Sequence, residues 1–472
     1  MSGEGMNIQN SHESERFGRL FLWLFSFAIV GLTFKQLKFN YFVGPFELLA
    51  ILLIVGWIGF TFSGGRWRHN PLLGKILIAY VLLSLGTAWA LIDNPSRLSV
   101  RDVLAYDFIF LAVLVYADST AGRWRDALRI MATAIGAYLF AILVLALVSS
   151  PLQSAVWYSY PTKIKGFSDN PNQIAFLSVV GMSYLLVEEI ISRKWDRLTL
   201  LAAFCCGLAG FLSSSSAFTL AFTAVTLIAI AASWLQRSNG PQVPDLPVSA
   251  PSECAVIGYI QGATSMLPRT LIALSAAKIA ELALRSALPF VSDAGKLFKI
   301  LVAAIWAIFA VPHSTPPVNA GSSQQTTASV IKDYMDGDSG QGTTRLALWR
   351  LGIETAKDSP IVGLGPGAHI PFQQATGTEK YEAHNTLVDI LVVSGIVGIG
   401  VLGAIVLMLA RHAYETRMLA LFSVLTVPVL LFSMFHFVGR QPLFWITFVL
   451  AAYVLPARTK PAEAAGEASG SP

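Results

Sequence analysis

About twelve runs of apolar residues, most near the length needed to cross a bilayer, constrain this chain more than any other feature. A transmembrane helix needs about 20 mostly apolar residues to cross a hydrocarbon core about 30 Å thick. The runs cover approximately 17–34, 41–63, 73–92, 101–116, 127–149, 172–191, 197–213, 214–235, 297–312, 384–410, 418–437 and 443–456. Lipid offers the backbone no hydrogen-bond partner, so segments of this length must be helical. The expected fold is therefore all-α: a polytopic membrane helix bundle of about twelve transmembrane helices, with one large outer loop that contains short helices. Only 13% of the 472 residues are charged and 54% are hydrophobic, against roughly 25% charged in soluble domains. A soluble enzyme, a disordered chain and a nucleic-acid-binding protein are excluded, the last despite a pI near 9.0. Cys205, Cys206 and Cys254 show neither a disulfide framework nor metal-ligand spacing.

The short loops orient the bundle. With the N-terminus cytoplasmic, the inner connections carry Arg66 and Arg68, Arg123 and Arg125, Arg193, Lys194 and Arg197, and Arg411 and Arg417. Every one is basic, as the positive-inside rule requires. The chain then divides into a cytoplasmic N-terminal tail (1–16), transmembrane helices one to eight (17–235), a cytoplasmic linker with an amphipathic helix (236–296), a ninth transmembrane helix (297–312), a large outer loop (313–383), helices ten to twelve (384–456) and a disordered cytoplasmic tail (457–472). The first run lacks a small-residue cleavage site and reads as an uncleaved anchor. Lys278, Glu281 and Arg285 share one face of the amphipathic helix, which would lie in the inner interface. An extra, distorted span is the alternative there.

Basic residues on the outer side oppose this orientation signal. They are Lys163 and Lys165 before the sixth span, Lys332, Arg345, Arg350, Lys357 and Lys380 in the long loop, and Arg440 between the last two spans. An anionic substrate at the outer interface would use them, phosphate above all, since Arg can grip it bidentately. Solvated or head-group contact is the plain alternative for any one of them. The stretch TTRLALWRLGIETAKDSP reads as a helix capped by Thr343 or Thr344, with Leu346, Trp349 and Ile353 as its apolar stripe. Arg345 borders that stripe, whereas Arg350 is spaced to pair with Glu354. The following SPIVGLGPGAH offers Gly363, Gly365 and Gly367 for tight turns. It is either a turn returning the loop to the membrane or a backbone anion nest. His384 opens the tenth span, where a helix N-terminus disfavours the imidazolium, so a neutral imidazole could serve as general base. A plain interfacial His is the alternative reading. His313, His369 and His436 are weaker candidates. Glu47, Asp107 and Asp389 are the main ionisable residues within spans.

These pieces resemble the O-antigen ligase and O-antigen polymerase family of bacterial membrane glycosyltransferases. The resemblance rests on Arg345 to Trp349 (RLALW), Pro360 to Gly367 (PIVGLGPG), His384-Asn385-Thr386-Leu387, Ser394 to Gly398 (SGIVG), Arg440 to Trp445 (RQPLFW) and Gly166 to Asn172 (GFSDNPN). It covers about 340–445 and the 163–172 loop in detail and the remaining spans in layout alone. It implies a protein of the bacterial inner membrane. This protein would move a glycan from undecaprenyl diphosphate to an acceptor hydroxyl at the periplasmic face, with inversion at the anomeric carbon. The acceptor would be lipid A–core in a ligase or another lipid-linked glycan in a polymerase; polysaccharide-assembly proteins are further expected partners, and nucleic acid is not. The resemblance implies His384 as base or acceptor-orienting group and Arg345 as diphosphate ligand. Lys163, Lys165, Asn385 and Arg440 are the remaining substrate-binding candidates. No cofactor or metal is expected, because diphosphate is already a good leaving group and arginines can stabilise its charge. The sequence departs from the family at Ser213-Ser214-Ser215-Ser216, an outer turn where relatives often carry Arg. A secondary transporter using Glu47, Asp107 and Asp389, or a non-catalytic polysaccharide-assembly subunit, is the alternative function.

Overall fold

The computed structural model describes residues 4–34, 43–63, 70–93, 95, 98–147, 153–159, 163–168, 170–192, 197–238, 278, 341–368, 370–374, 377–381, 383–416 and 418–455. Among these the protein is mostly helical. The helices are α1 (Glu4–Gly31), α2 (Pro45–Ser63), α3 (Pro71–Leu83), α4 (Leu85–Asp93), α5 (Val100–Thr120), α6 (Trp124–Leu147), α7 (Gln153–Val156), α8 (Pro171–Ser192), α9 (Arg197–Leu212), α10 (Ser216–Ser238), α11 (Gln341–Ala356), α12 (Thr386–Glu415), α13 (Leu419–Ser433) and α14 (Pro442–Val454). Two short antiparallel hairpins interrupt the all-α expectation: β1 (Trp157–Ser159) with β2 (Lys163–Ile164), and β3 (Ile370–Gln374) with β4 (Gly377–Tyr381).

Local sequence sets many of these ends. Asn70 caps α3 by accepting from the Leu72 amide at 3.1 Å, and Pro71 follows at the first turn, where its missing N–H costs nothing. Ser99 caps α5 by accepting from the Asp102 amide. The apolar run 73–92, expected as one span, is broken at Ser84 into α3 and α4.

Among the described residues four stretches are long and apolar enough to cross a membrane by length and composition: Pro45–Phe62, Pro71–Asp93, Trp124–Leu147 and Thr386–Glu415. Leu52 on α2, Phe62 at its end and Ile78 on α3 are more than 60% exposed. Such surfaces would be costly in water and cost nothing in lipid. The expected ninth span at 297–312 lies outside the described residues, as do Cys254, His313, His369, Lys332, the tail 457–472 and all of 236–296 beyond Ser238 except Lys278.

The core lies between α1, α5, α6, α8, α9, α10, α13 and α14. Its large buried side chains include Tyr116, Tyr184, Phe176 and Phe432. Tyr184 satisfies its hydroxyl against Thr447 at 2.9 Å, which ties α8 to α14. Close packing needs small residues: a Cβ on Gly136 of α6 would stand 2.5 Å from that of Ala202 on α9. α12 stands against this core, with the groove and turns described next.

Candidate functional site

Two of the expected site residues, His384 and Asn385, stand at the start of α12. Asn385 is its N-cap, and its side-chain oxygen accepts from the amides of Leu387 (2.9 Å) and Val388 (3.2 Å). His384 precedes the cap with φ +53, a left-handed conformation uncommon outside glycine. The Asp389 carboxylate straddles it, accepting from the Ala383 amide at 2.9 Å and the Asn385 amide at 3.4 Å. Asp389 is buried. Its charge is thus spent on the turn that presents His384, and the helix N-terminus favours it there.

The same turn is tied to the connection before α14. Thr386 donates to the His436 carbonyl at 2.8 Å and accepts from the Val438 amide at 3.0 Å. Two residues on, Arg440 reaches Asp102 at 3.3 Å and lies over the Phe437 ring at 5.3 Å. Asp102 belongs to the first turn of α5 and is buried, whereas Arg440 is about a quarter exposed. The carboxylate therefore holds the guanidinium by one corner. Sequence reading missed Asp102, although the Ser99-x-x-Asp102 spacing announces a helix start. His436 is buried, with its ring against Phe432.

The glycine-rich turn has a definite role. Gly395 breaks α12 with φ 61 and ψ −160, a region essentially closed to other residues. An intact helix would bond the amides of Ile396 and Val397 to the carbonyls of Val392 and Val393. Instead those amides donate to Pro360 (2.8 Å) and Ile361 (3.1 Å), while the freed carbonyls accept from Leu364 (2.8 Å) and Gly365 (3.0 Å). The turn is wedged into the helix, and two broken rungs are replaced by four bonds. Its Leu364 and Gly365 amides are thereby committed, so they form no anion nest. The expected turn holds, in a more specific form. Ser394 donates to the Leu83 carbonyl at 2.9 Å, which places this break beside the one at Ser84.

The other candidates sit elsewhere. Arg345 lies on α11, which packs on α12 and β3; its side chain lies outside the described residues. The buried positions of α11 include Leu348, Gly352 and Ala356, whereas Ile353, expected in the apolar stripe, is 47% exposed. The helix also starts at Gln341, ahead of the Thr343 or Thr344 cap expected for it. Glu354 binds Lys357 at 2.7 Å rather than its expected partner Arg350, which is exposed. Lys163 is exposed on β2 and Lys165 half-buried after it, on a hairpin that rests on α8 and α9. The Lys278 ammonium stands 4.7 Å over the ring of Phe211, near the end of α9 remote from Arg197. Glu47 accepts from the Gly44 amide, and Asp107 accepts from the Tyr80 hydroxyl at 2.5 Å. Each intramembrane carboxylate has its own local partner.

A groove of about 1200 Å³ runs between α3, α5, α12, α13 and α14. At one end Pro366, Ser394, Gly439 and Trp445 line it, Gly439 being the chain neighbour of Arg440. The opposite end is lined by Asn70, Lys75, Arg125 and His412. From Ile390 to His412 along α12 the groove extends roughly 30 Å at 1.5 Å per residue, the thickness of a bilayer core.

No curated protein matches the chain. Residues 201–403 match the family model described as O-Antigen ligase, a stretch that holds α11, the glycine-rich turn, His384 and the broken part of α12. Over that stretch the chain is similar to the O-antigen ligase family, and its helices long and apolar enough to cross a bilayer make it a membrane protein.

Proposed function

We propose that the protein transfers a glycan from undecaprenyl diphosphate to an acceptor hydroxyl at the periplasmic face of the bacterial inner membrane. The observation that carries this reading is the pairing of His384 and Arg440 on turns joined through Thr386, at one end of a bilayer-deep apolar groove. A lipid-linked sugar needs this combination: an apolar track for the polyprenyl chain and a polar end for the reaction.

His384 takes the proton of the acceptor hydroxyl as that oxygen bonds to the anomeric carbon. The bond from that carbon to the diphosphate oxygen breaks, and undecaprenyl diphosphate leaves with the electron pair. Arg345 and Arg440 stabilise the charge that develops on the leaving group, with Lys163 and Lys165 as further phosphate ligands. The arginines make a metal unnecessary. Asn385 acts through its cap, which fixes the backbone on which His384 is carried. The termini are cytoplasmic and the 313–383 loop is periplasmic. The acceptor is lipid A–core or a second lipid-linked glycan. The transporter alternative loses ground because Glu47, Asp107 and Asp389 each engage a local partner.

The test uses purified protein in liposomes with an undecaprenyl diphosphate-linked glycan and each acceptor in turn. Wild type releases undecaprenyl diphosphate, and His384→Ala and Arg345→Ala lose the release. Longer lipid-linked chains identify a polymerase and glycosylated lipid A–core a ligase. Full activity of His384→Ala removes the base assignment, and absence of release with both acceptors removes the transferase.

A further inference from the structure

The end of the groove remote from His384 is used by none of the steps above. It carries an unusual residue. Lys75 lies inside the apolar stretch Pro71–Asp93, lines the groove, and has no ion-pair partner among the described residues. Lys75 is exposed one turn from the start of α3, where a lysine can extend its ammonium to the membrane surface and meet a lipid phosphate. Arg125, from the first turn of α6, and His412, from the last turn of α12, line the same end. The groove's acidic lining residue, Asp107, is bonded to Tyr80. In sequence Asp107 falls about a third of the way along α5, and α5 ends near Trp124 and Arg125. Above the cations the lining turns apolar, with Ile76, Ala79, Ile405 and Met408. The arrangement is a cationic mouth leading into a hydrocarbon slot.

We propose that this mouth binds an anionic glycerophospholipid, its phosphate at Lys75 and Arg125 and one acyl chain in the lower groove. The two ends of the groove are roughly a bilayer core apart, so they open to opposite leaflets. A donor whose diphosphate sits at Arg440 cannot also place it at Lys75. The phosphate at Lys75 must therefore belong to a different lipid, in the opposite leaflet. A diacyl lipid reaches about half the bilayer, which leaves the His384 half of the groove for a polyprenyl chain. Each cation near a lipid phosphate strengthens binding roughly fivefold.

The experiment is native mass spectrometry of the full-length protein released from mixed micelles containing equal phosphatidylglycerol and phosphatidylcholine. Wild type retains one phosphatidylglycerol in preference to phosphatidylcholine by at least about fivefold. The preference disappears in the Lys75→Gln, Arg125→Gln double variant and survives in Lys75→Arg, which also reports on folding. Equal retention of the two lipids by wild type overturns the proposal, as does a preference unchanged in the double variant. Displacement of phosphatidylglycerol by equimolar undecaprenyl monophosphate also overturns it, because the site would then belong to the polyprenyl carrier. None of these readouts depends on glycan transfer, so the site stands or falls apart from the proposed reaction.

Discussion

Replacing Gly395 with Ala tests the wedge in α12 most directly. In the native arrangement the residue has φ 61 and ψ −160, which costs a non-glycine residue about 1–3 kcal/mol. An added Cβ would also lie 2.3 Å from the Ile361 carbonyl oxygen and 2.7 Å from the Gly363 amide nitrogen, both backbone atoms of the wedge. The competing arrangement is a straight α12, in which Ile396 and Val397 bond back to Val392 and Val393. There Ala is better than Gly by about 1 kcal/mol. The two effects add, because one penalises the wedged form and the other favours the straight one. The balance shifts by about 2–4 kcal/mol, or roughly 30- to 900-fold. Hydrogen–deuterium exchange in nanodiscs reads this at single segments. Protection of the Leu364 and Gly365 amides should fall by up to that factor. The Ile396 and Val397 amides should stay protected, since a straight helix supplies new acceptors. Unchanged protection at Leu364 and Gly365 in Gly395→Ala would refute the wedge, whatever the activity.

Two further substitutions probe the turns above the groove. Thr386→Val keeps the side-chain shape but leaves the His436 carbonyl and Val438 amide without their bridge; each buried orphan costs about 1–3 kcal/mol. We expect a lower thermal midpoint in detergent and a reduced kcat, with Thr386→Ser restoring both. Asp102→Ala removes the anchor that holds Arg440 by one corner; the KM for the lipid-linked donor should rise several-fold while kcat changes less, measured over a donor concentration series.

How far the sequence reveals this architecture depends on whether each feature is local. The cap at Asn385 and the starts at Pro71 and Pro442 lie beside the helices they begin, and short-range chemistry makes them readable. The single run 73–92 hides its break at Ser84 because Leu83 and Leu85 keep it uniformly apolar. Arg350 and Glu354 have good helical spacing, yet Lys357 wins Glu354 just past the end of α11, where the chain has left the helix. The glycines of PIVGLGPG and SGIVG are visible as two separate signals. Their mutual bonding is not, because nothing in either segment names the other as partner. The bond between Asp102 and Arg440 joins chain segments hundreds of residues apart and has no local trace. The side chain of His384 can be nominated from its position at a span boundary, but its left-handed backbone and the Asp389 clamp emerge only in three dimensions.

The exchange of hydrogen bonds between Pro360–Gly365 and Val392–Val397 makes these segments a single inheritable module. A graft that moved the outer loop onto another scaffold without its broken helix would leave two carbonyls and two amides seeking partners in lipid. The reverse graft would leave α12 with an unfilled notch. Recombination between related chains should therefore be tolerated before Gln341 or after Gly398 and fail between them. A library of chimaeras with crossover points through this region would draw that boundary directly.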